Sequence, residues 1–214
     1  FIVGFIVGFN VGCVVGFRSR RRNLGSQGYR LGGDCLPRYF VHEWCVYMNI
    51  FYVHEDPVIA AQMMCDKHVV KMVIETAQML CVAHTGNNRY RAERMGMYKP
   101  AHVKHPSTRW ARENQVQYEW LYRHFVALCD EYTHRYGKVH MTDQKLRAKL
   151  ATTPPSLPTG EFSDPPQCMF DDVKIEGNTV EAYRNYYRVY KRGFARWTGR
   201  NVPDWFTETD HGDD

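Results

Sequence analysis

From Val58 to His84 the chain carries neither glycine nor proline, and its apolar side chains return at helical intervals. Ile59, Met63, Val70, Val73, Ala77 and Leu80 fall on this pattern, which commits the segment to a long helix rather than to strand pairing. Asp56-Pro57 supplies a start: the carboxylate accepts from orphan amides, and proline fits the first helical position. Thr85-Gly86-Asn87-Asn88 supplies the stop. The spacing therefore predicts a helix over 57–84.

A second long helix is expected over 107–136, with Ser107 as its cap, Trp110, Tyr118, Leu121, Phe125 and Leu128 along it, and Gly137 as its stop. Residues 87–105 read as a basic, irregular connection, and a shorter helix is expected over roughly 142–150. Five prolines between Pro154 and Pro166 predict an extended loop wrapping the body. Asn178 with Glu181 three residues on forms a capping box, which opens a last helix running to Trp197, before Gly199. Met48–His54 is a short apolar lead-in. The reading is a mainly α fold: one compact helical domain with two long helices, a C-terminal helix and a Pro-rich loop, and no sheet beyond three short strands.

Composition divides the chain at Met48. All nine methionines and all nine lysines lie at or after that residue, whereas half of the 16 glycines lie before it. Residues 1–47 carry a net charge of +4, leaving only +1 on the remainder. The basic character is thus mostly a property of the extension and is weak ground for nucleic-acid binding by the domain. The extension opens on a four-residue repeat (FIVG, FIVG, FNVG, CVVG) followed by RSRRR. Glycines at this interval suit packed membrane helices, but the run is at the short limit of a span and Asn10 interrupts it. Upstream sequence translated as protein is the simpler expectation, with Met48 as the natural start. The expected organisation is a foreign or disordered extension over 1–47, a helical domain over 48–206 and an acidic tail over 207–214. The seven cysteines show no C-x-x-C spacing, three of them belong to the extension, and the four in the domain read as reduced core residues of a cytoplasmic protein.

Three groups of residues could carry chemistry. Asp66, Lys67, His68, Lys71 and Glu75 share the first long helix, and His68 and Glu75 lie two turns apart on one face with Lys71 between them. An imidazole and a carboxylate so placed could share a cleft, although charges on a helix also simply form its solvated side. Arg109 and Arg112 stand one turn apart beside Trp110, where helix-terminal amides also favour phosphate; a core Trp with exposed arginines is the alternative. The C-terminal helix carries Tyr183, Arg184, Tyr186, Tyr187, Arg188, Tyr190, Lys191 and Arg192, of which the basic residues could grip phosphates and the tyrosines stack on unstacked bases. The alternative there is an amphipathic helix with aromatic residues inward. His102 and His105 lack a further ligand at diagnostic spacing, so no metal is expected, and no phosphate-cradling or dinucleotide motif calls for a cofactor.

The stretch Asp66–Glu75, DKHVVKMVIE, resembles the first helix of the phage pyrimidine-dimer DNA glycosylase/AP-lyase family of the endonuclease V type. That motif has Asp, one residue, His, six residues and the catalytic Glu, which fall here on Asp66, His68 and Glu75. The aromatic-basic segments Trp110–Tyr136 and Tyr183–Trp197 are looser counterparts of later family elements. The stretch from Met48 also resembles a set of tailed-phage proteins beginning MNIFY. The resemblance implies base-excision chemistry on damaged or modified DNA: an N-terminal α-amine, at Met48 or Asn49, forms an imine at the deoxyribose C1′, and Glu75 assists proton transfer. It implies DNA contacts from Lys71, Arg109, Arg112, Tyr183, Arg184, Tyr187 and Arg188, in the cytoplasm of an infected bacterial host. Ile74 stands where the family has a basic residue, and Asn49 is not the small residue the family presents. A helical nucleic-acid-binding protein without catalysis, or a phage accessory protein that binds another protein, are the other readings of the same residues. Nothing in the sequence fixes an oligomeric state.

Overall fold

The computed structural model describes residues 48–207. The repeats and the rest of the extension to residue 47 lie outside the described residues, as does the tail from residue 208. Eight helices are described, joined by irregular segments, with no strand among the described residues: α1 (Pro57–Met63), α2 (Asp66–Thr85), α3 (Arg89–Arg94), α4 (Pro106–Trp110), α5 (Gln115–Tyr136), α6 (Met141–Leu150), α7 (Thr179–Tyr190) and α8 (Asp204–Thr207). The mainly α architecture expected from the sequence is what the chain adopts. Thr207, expected to open the tail, closes α8.

α2 and α5 pack side by side, α1 lies on α5, and α6 packs against both long helices. Their apposed faces bury Met72, Val73, Leu80, Leu121, Phe125 and Leu128. Ile59 and Val70 are exposed instead. Residues 48–53 are irregular yet buried, which makes the lead-in part of the core. The Pro-rich loop does wrap the body, pinned by the end of α4 and the start of α5. Trp110 Nε1 donates to the Ser163 carbonyl (2.8 Å), the Asn114 side chain to the Glu161 carbonyl (3.0 Å) and the Gln115 side chain to the Leu157 carbonyl (3.0 Å).

The single helix expected over 57–84 is broken at Met64–Cys65, three residues before His68. Tertiary partners take over the ladder there. The Asp66 amide donates to the Arg196 carbonyl (2.8 Å), and the carbonyls of Gln62 and Met63 accept from Arg135 Nη2 (2.9 Å) and Trp197 Nε1 (2.8 Å). These bonds give backbone groups at the break new partners in place of helical ones, so it needs neither glycine nor proline. The helix expected over 107–136 is likewise two. His105, not Ser107, caps α4, and Asn114 starts α5 by accepting from the Gln117 amide at 3.1 Å. α7 ends at Tyr190 rather than Trp197. The expected starts at Asp56 and Asn178 and the stop at Gly137, where φ is +65°, are in place. Glu181 does not complete a capping box, because its carboxylate pairs with Arg188 and Arg184.

Candidate active site

The lead-in runs along one face of α2 and passes its backbone over Glu75. The Glu75 side chain is 17% exposed, and its Oε1 lies 3.1 Å from Lys71 Nζ one turn earlier. Its Oε2 is buried with no hydrogen-bond partner among the described residues. The Asn49 backbone N–H faces this carboxylate and favours its charged form, without completing an aligned hydrogen bond to Oε2. Burial raises the Glu75 pKa above the ordinary carboxylate value; the charges of Lys71 and His102 and the Asn49 N–H oppose that rise without cancelling it.

Asn49 is held from three sides. Its Oδ1 accepts from the amides of Ile50 (2.7 Å) and Phe51 (3.2 Å), and its Nδ2 donates to the Cys168 carbonyl at 2.8 Å. The Cys168 amide in turn donates to Tyr183 Oη (3.3 Å), which itself donates to the Pro166 carbonyl at 2.8 Å. Met48 is buried, and its sulfur accepts from the Thr108 hydroxyl of α4 at 3.3 Å. Phe51 and His102 are the two non-glycine residues with left-handed backbone among the described residues, at φ of +53° and +49°. Such conformations cost energy and persist only where their surroundings fix them. Here one follows Asn49 by two residues, and the other places its imidazole charge within reach of Glu75.

His68 does not open on a cleft. Its ring stacks on Phe51 with centroids 4.0 Å apart, meets Tyr187 and Phe194 edge-on, and its Nδ1 shares a 2.5 Å hydrogen bond with Tyr187 Oη. Burial, followed by the charges of Lys191, Lys71 and Lys67, holds its pKa well below the ordinary histidine value. The imidazole is therefore neutral and committed to a hydrogen bond at pH 7, a positioning residue for Phe51 and α7.

The residues expected to grip DNA divide sharply. Lys71 is partly exposed and tied to Glu75. Arg109 is exposed and Arg112 half-buried; both line a surface cavity with Trp110, Glu113, Asp164 and Pro166, and Arg112 Nη2 donates to the Val103 carbonyl at 3.0 Å. Tyr183 and Tyr187 are fully buried, which removes them as base-stacking residues, because their rings already face the core. Arg184 donates to the Val53 carbonyl at 3.1 Å, and Arg188 to the Trp205 carbonyl at 3.0 Å and to Glu181. These arginines staple α7 to the lead-in and to α8. The inward-facing alternative describes most of this helix. His105 spends Nδ1 on capping Ser107 at 3.2 Å, and no group of three or more His, Cys, Asp or Glu side chains is placed to hold a metal among the described residues.

Residues 48–145 match the family model described as pyrimidine dimer DNA glycosylase. Over that stretch, which is just under half of the 214-residue chain, the protein is similar to the pyrimidine dimer DNA glycosylase family. The glycosylase-family segment begins at Met48 and contains Asn49, His68, Lys71, Glu75, His102 and both Arg109 and Arg112, so the whole immediate surround of Glu75 lies within it except for the backing from Cys168 and α7. Compared with curated proteins and with solved structures, the chain has no significant match. No helix among the described residues is long and apolar enough to cross a membrane. The sequence had singled out Glu75, His68 and Lys71. It gave no sign that His102 and the Phe51 backbone would join them, because both depend on loop conformation.

Proposed function

We propose that this protein is a base-excision DNA glycosylase with abasic-site lyase activity, acting on damaged or modified bases through an amine at Asn49 or Met48 with Glu75 as its assistant. The family's name makes a pyrimidine photoproduct the first lesion to try. One observation carries the reading: the nitrogen of Asn49 faces the one carboxylate of the motif that keeps an oxygen without a partner among the described residues. A free amine at that nitrogen would attack C1′ as the glycosidic pair departs with the base. Loss of a proton from nitrogen and opening of the C1′–O4′ bond leave an imine, and O4′ takes up a proton. Removal of a C2′ proton then expels the 3′ phosphate. Glu75, with its pKa raised by burial, is suited to accept and return protons. An α-amine suits the nucleophile because its ordinary pKa is close to 8. Within the 214-residue chain the Asn49 nitrogen is a peptide amide, so the reading requires a form that begins at Met48 or Asn49.

The test compares that form with its Glu75→Gln variant on duplex DNA bearing a single lesion or abasic site. Glutamine keeps size and hydrogen bonding but loses basicity, so base release and strand nicking should fall by about 10²–10⁴-fold, with DNA affinity nearly unchanged. An undiminished rate in the variant would remove Glu75 from the chemistry. Failure of the unsubstituted short form to release any base would remove the glycosylase reading itself.

A further inference from the structure

Imine chemistry needs an amine that is partly neutral, and the structure holds one beyond the lead-in. Lys191 follows α7 and is half-buried. Its Nζ donates to Tyr186 Oη at 3.0 Å and sits over the Tyr186 ring, 4.2 Å from the centroid. The Tyr186 ring lies parallel to Phe51 at 6.2 Å, and Phe51 lies parallel to His68 at 4.0 Å. The lysine thus stands at one end of an aromatic row whose middle member is two residues from Asn49. Its charge acts on the same imidazole as that of Lys71, the partner of Glu75.

We propose that Lys191 is a second imine-forming amine of this site, one that condenses with the C1′ aldehyde of a ring-opened abasic deoxyribose. The proposal rests on the DNA-repair reading above but not on an N-terminal amine. Burial and the like charge of Lys71 push the Lys191 pKa down to about 8, with Cys65 acting weakly in the opposite direction. At pH 7.5 roughly a quarter of such amines are neutral, against about a thousandth for an ordinary lysine. Lys71 itself is held in its ion pair with Glu75. The neutral Lys191 nitrogen adds its pair to the aldehyde carbon, whose oxygen takes up a proton. The oxygen then takes a second proton from the nitrogen and leaves as water, and a protonated imine remains. Tyr186 Oη, already at the lysine, positions the nitrogen lone pair by its hydrogen bond.

The experiment is borohydride trapping of the full 214-residue chain on duplex DNA with one abasic site, followed by digestion and mass mapping of the cross-linked peptide. The adduct should map to Lys191, and its yield should rise with pH with a midpoint near 8. Lys191→Arg keeps the charge and a donor to Tyr186 but cannot form a reducible imine. It should cut trapping by at least about tenfold while melting as the unsubstituted protein does and binding intact duplex as tightly. No adduct, an adduct on any other peptide, or undiminished trapping by Lys191→Arg would overturn the proposal. Run beside it, the form that begins at Met48 or Asn49 distinguishes the two readings: an adduct confined to its N-terminal amine, with none on Lys191 in either form, would overturn the proposal while leaving the N-terminal mechanism standing. Absence of trapping by either form, together with no base release by the short one, would remove the two readings together.

Discussion

Replacing Arg135 by methionine should unfold the site helix from its start. The Arg135 side chain is fully buried and makes three connections: Nε to Glu131 Oε1 at 2.7 Å, Nη1 to Asp66 Oδ1 at 2.9 Å and Nη2 to the Gln62 carbonyl at 2.9 Å. It therefore closes α1, opens α2 and neutralises a carboxylate that is only 2% exposed. Methionine fills similar volume but leaves Glu131 and the Gln62 carbonyl short of a donor. Breaking a buried ion pair from one side costs about 3–5 kcal/mol. Arg200 continues to bind Glu131 through Nη2 at 2.8 Å, which places the cost toward the lower end, about 3 kcal/mol. For a domain of this size that is a fall in Tm of about 6–12 °C, read by calorimetry at pH 7. Burial acts to raise the Glu131 pKa, but the hydrogen bonds from Arg200 and Arg135 outweigh it and hold the pKa below the ordinary carboxylate value. A depressed carboxylate contributes stability above its unfolded pKa and loses it as pH falls through the folded one. The gap between the two proteins should accordingly narrow as pH drops below about 4. A Tm within about 2 °C of the unsubstituted protein at pH 7, or a gap indifferent to acid, would refute this account of the α1–α2 junction.

Two further outcomes follow from the site. Tyr187→Phe strips the hydroxyl from a 2.5 Å bond to buried His68 and should cost about 1–3 kcal/mol in a urea melt, while the Phe51–His68 stack keeps the loss of nicking well below that of Glu75→Gln; equal losses would make the tyrosine hydroxyl part of the chemistry. Glu75→Gln should also change stability with pH: a carboxyl whose folded pKa is raised gives stability that is lost as pH rises through that value, so the variant should gain in Tm over the unsubstituted protein as pH rises from about 4, and a constant difference would mean that Glu75 is not desolvated.

What the sequence made legible was whatever local chemistry decides. Asp56 before Pro57, Asn178 ahead of α7 and Gly137 after α5 mark helix ends because one side chain or one backbone angle settles them. The breaks at Met64–Cys65 and at residues 111–114 were hidden for the opposite reason. At the first, the partners that replace the helical ladder are Arg135, Arg196 and Trp197, all more than sixty residues away in sequence. At the second, Asn114 is a capable cap, but an asparagine inside an apolar periodicity is read as one polar residue of a continuous helix. α3 passed as irregular because six residues hold too little periodicity to register. The aromatic-basic C-terminal helix was the most misleading. Tyrosines and arginines in that density fit a DNA-gripping face, yet the tyrosines at 183 and 187 turn inward and the arginines at 184 and 188 close against backbone carbonyls.

The three residues of the Asp-x-His motif and its distant Glu do not form one catalytic unit, and their spacing has a different logic. Asp66 accepts from the Thr198 amide (3.0 Å), the Thr198 hydroxyl (2.8 Å) and Arg135, so it is saturated by structure. His68 is saturated by Tyr187 and by the Phe51 ring. Only Glu75 retains an oxygen without a partner among the described residues. Phe51 meets His68 while Asn49 faces Glu75, so the lead-in runs antiparallel to α2: moving forward along one moves backward along the other. Seven helical residues advance about 10.5 Å, whereas two extended residues reach about 7 Å, and the left-handed turn at Phe51 with its long side chain spans the remainder. On this geometry the His-to-Glu spacing is a ruler that sets where the Asn49 nitrogen falls. Under the proposed function, a motif that looks like a row of acid–base groups is one chemical residue and two fixtures that aim a nitrogen at it.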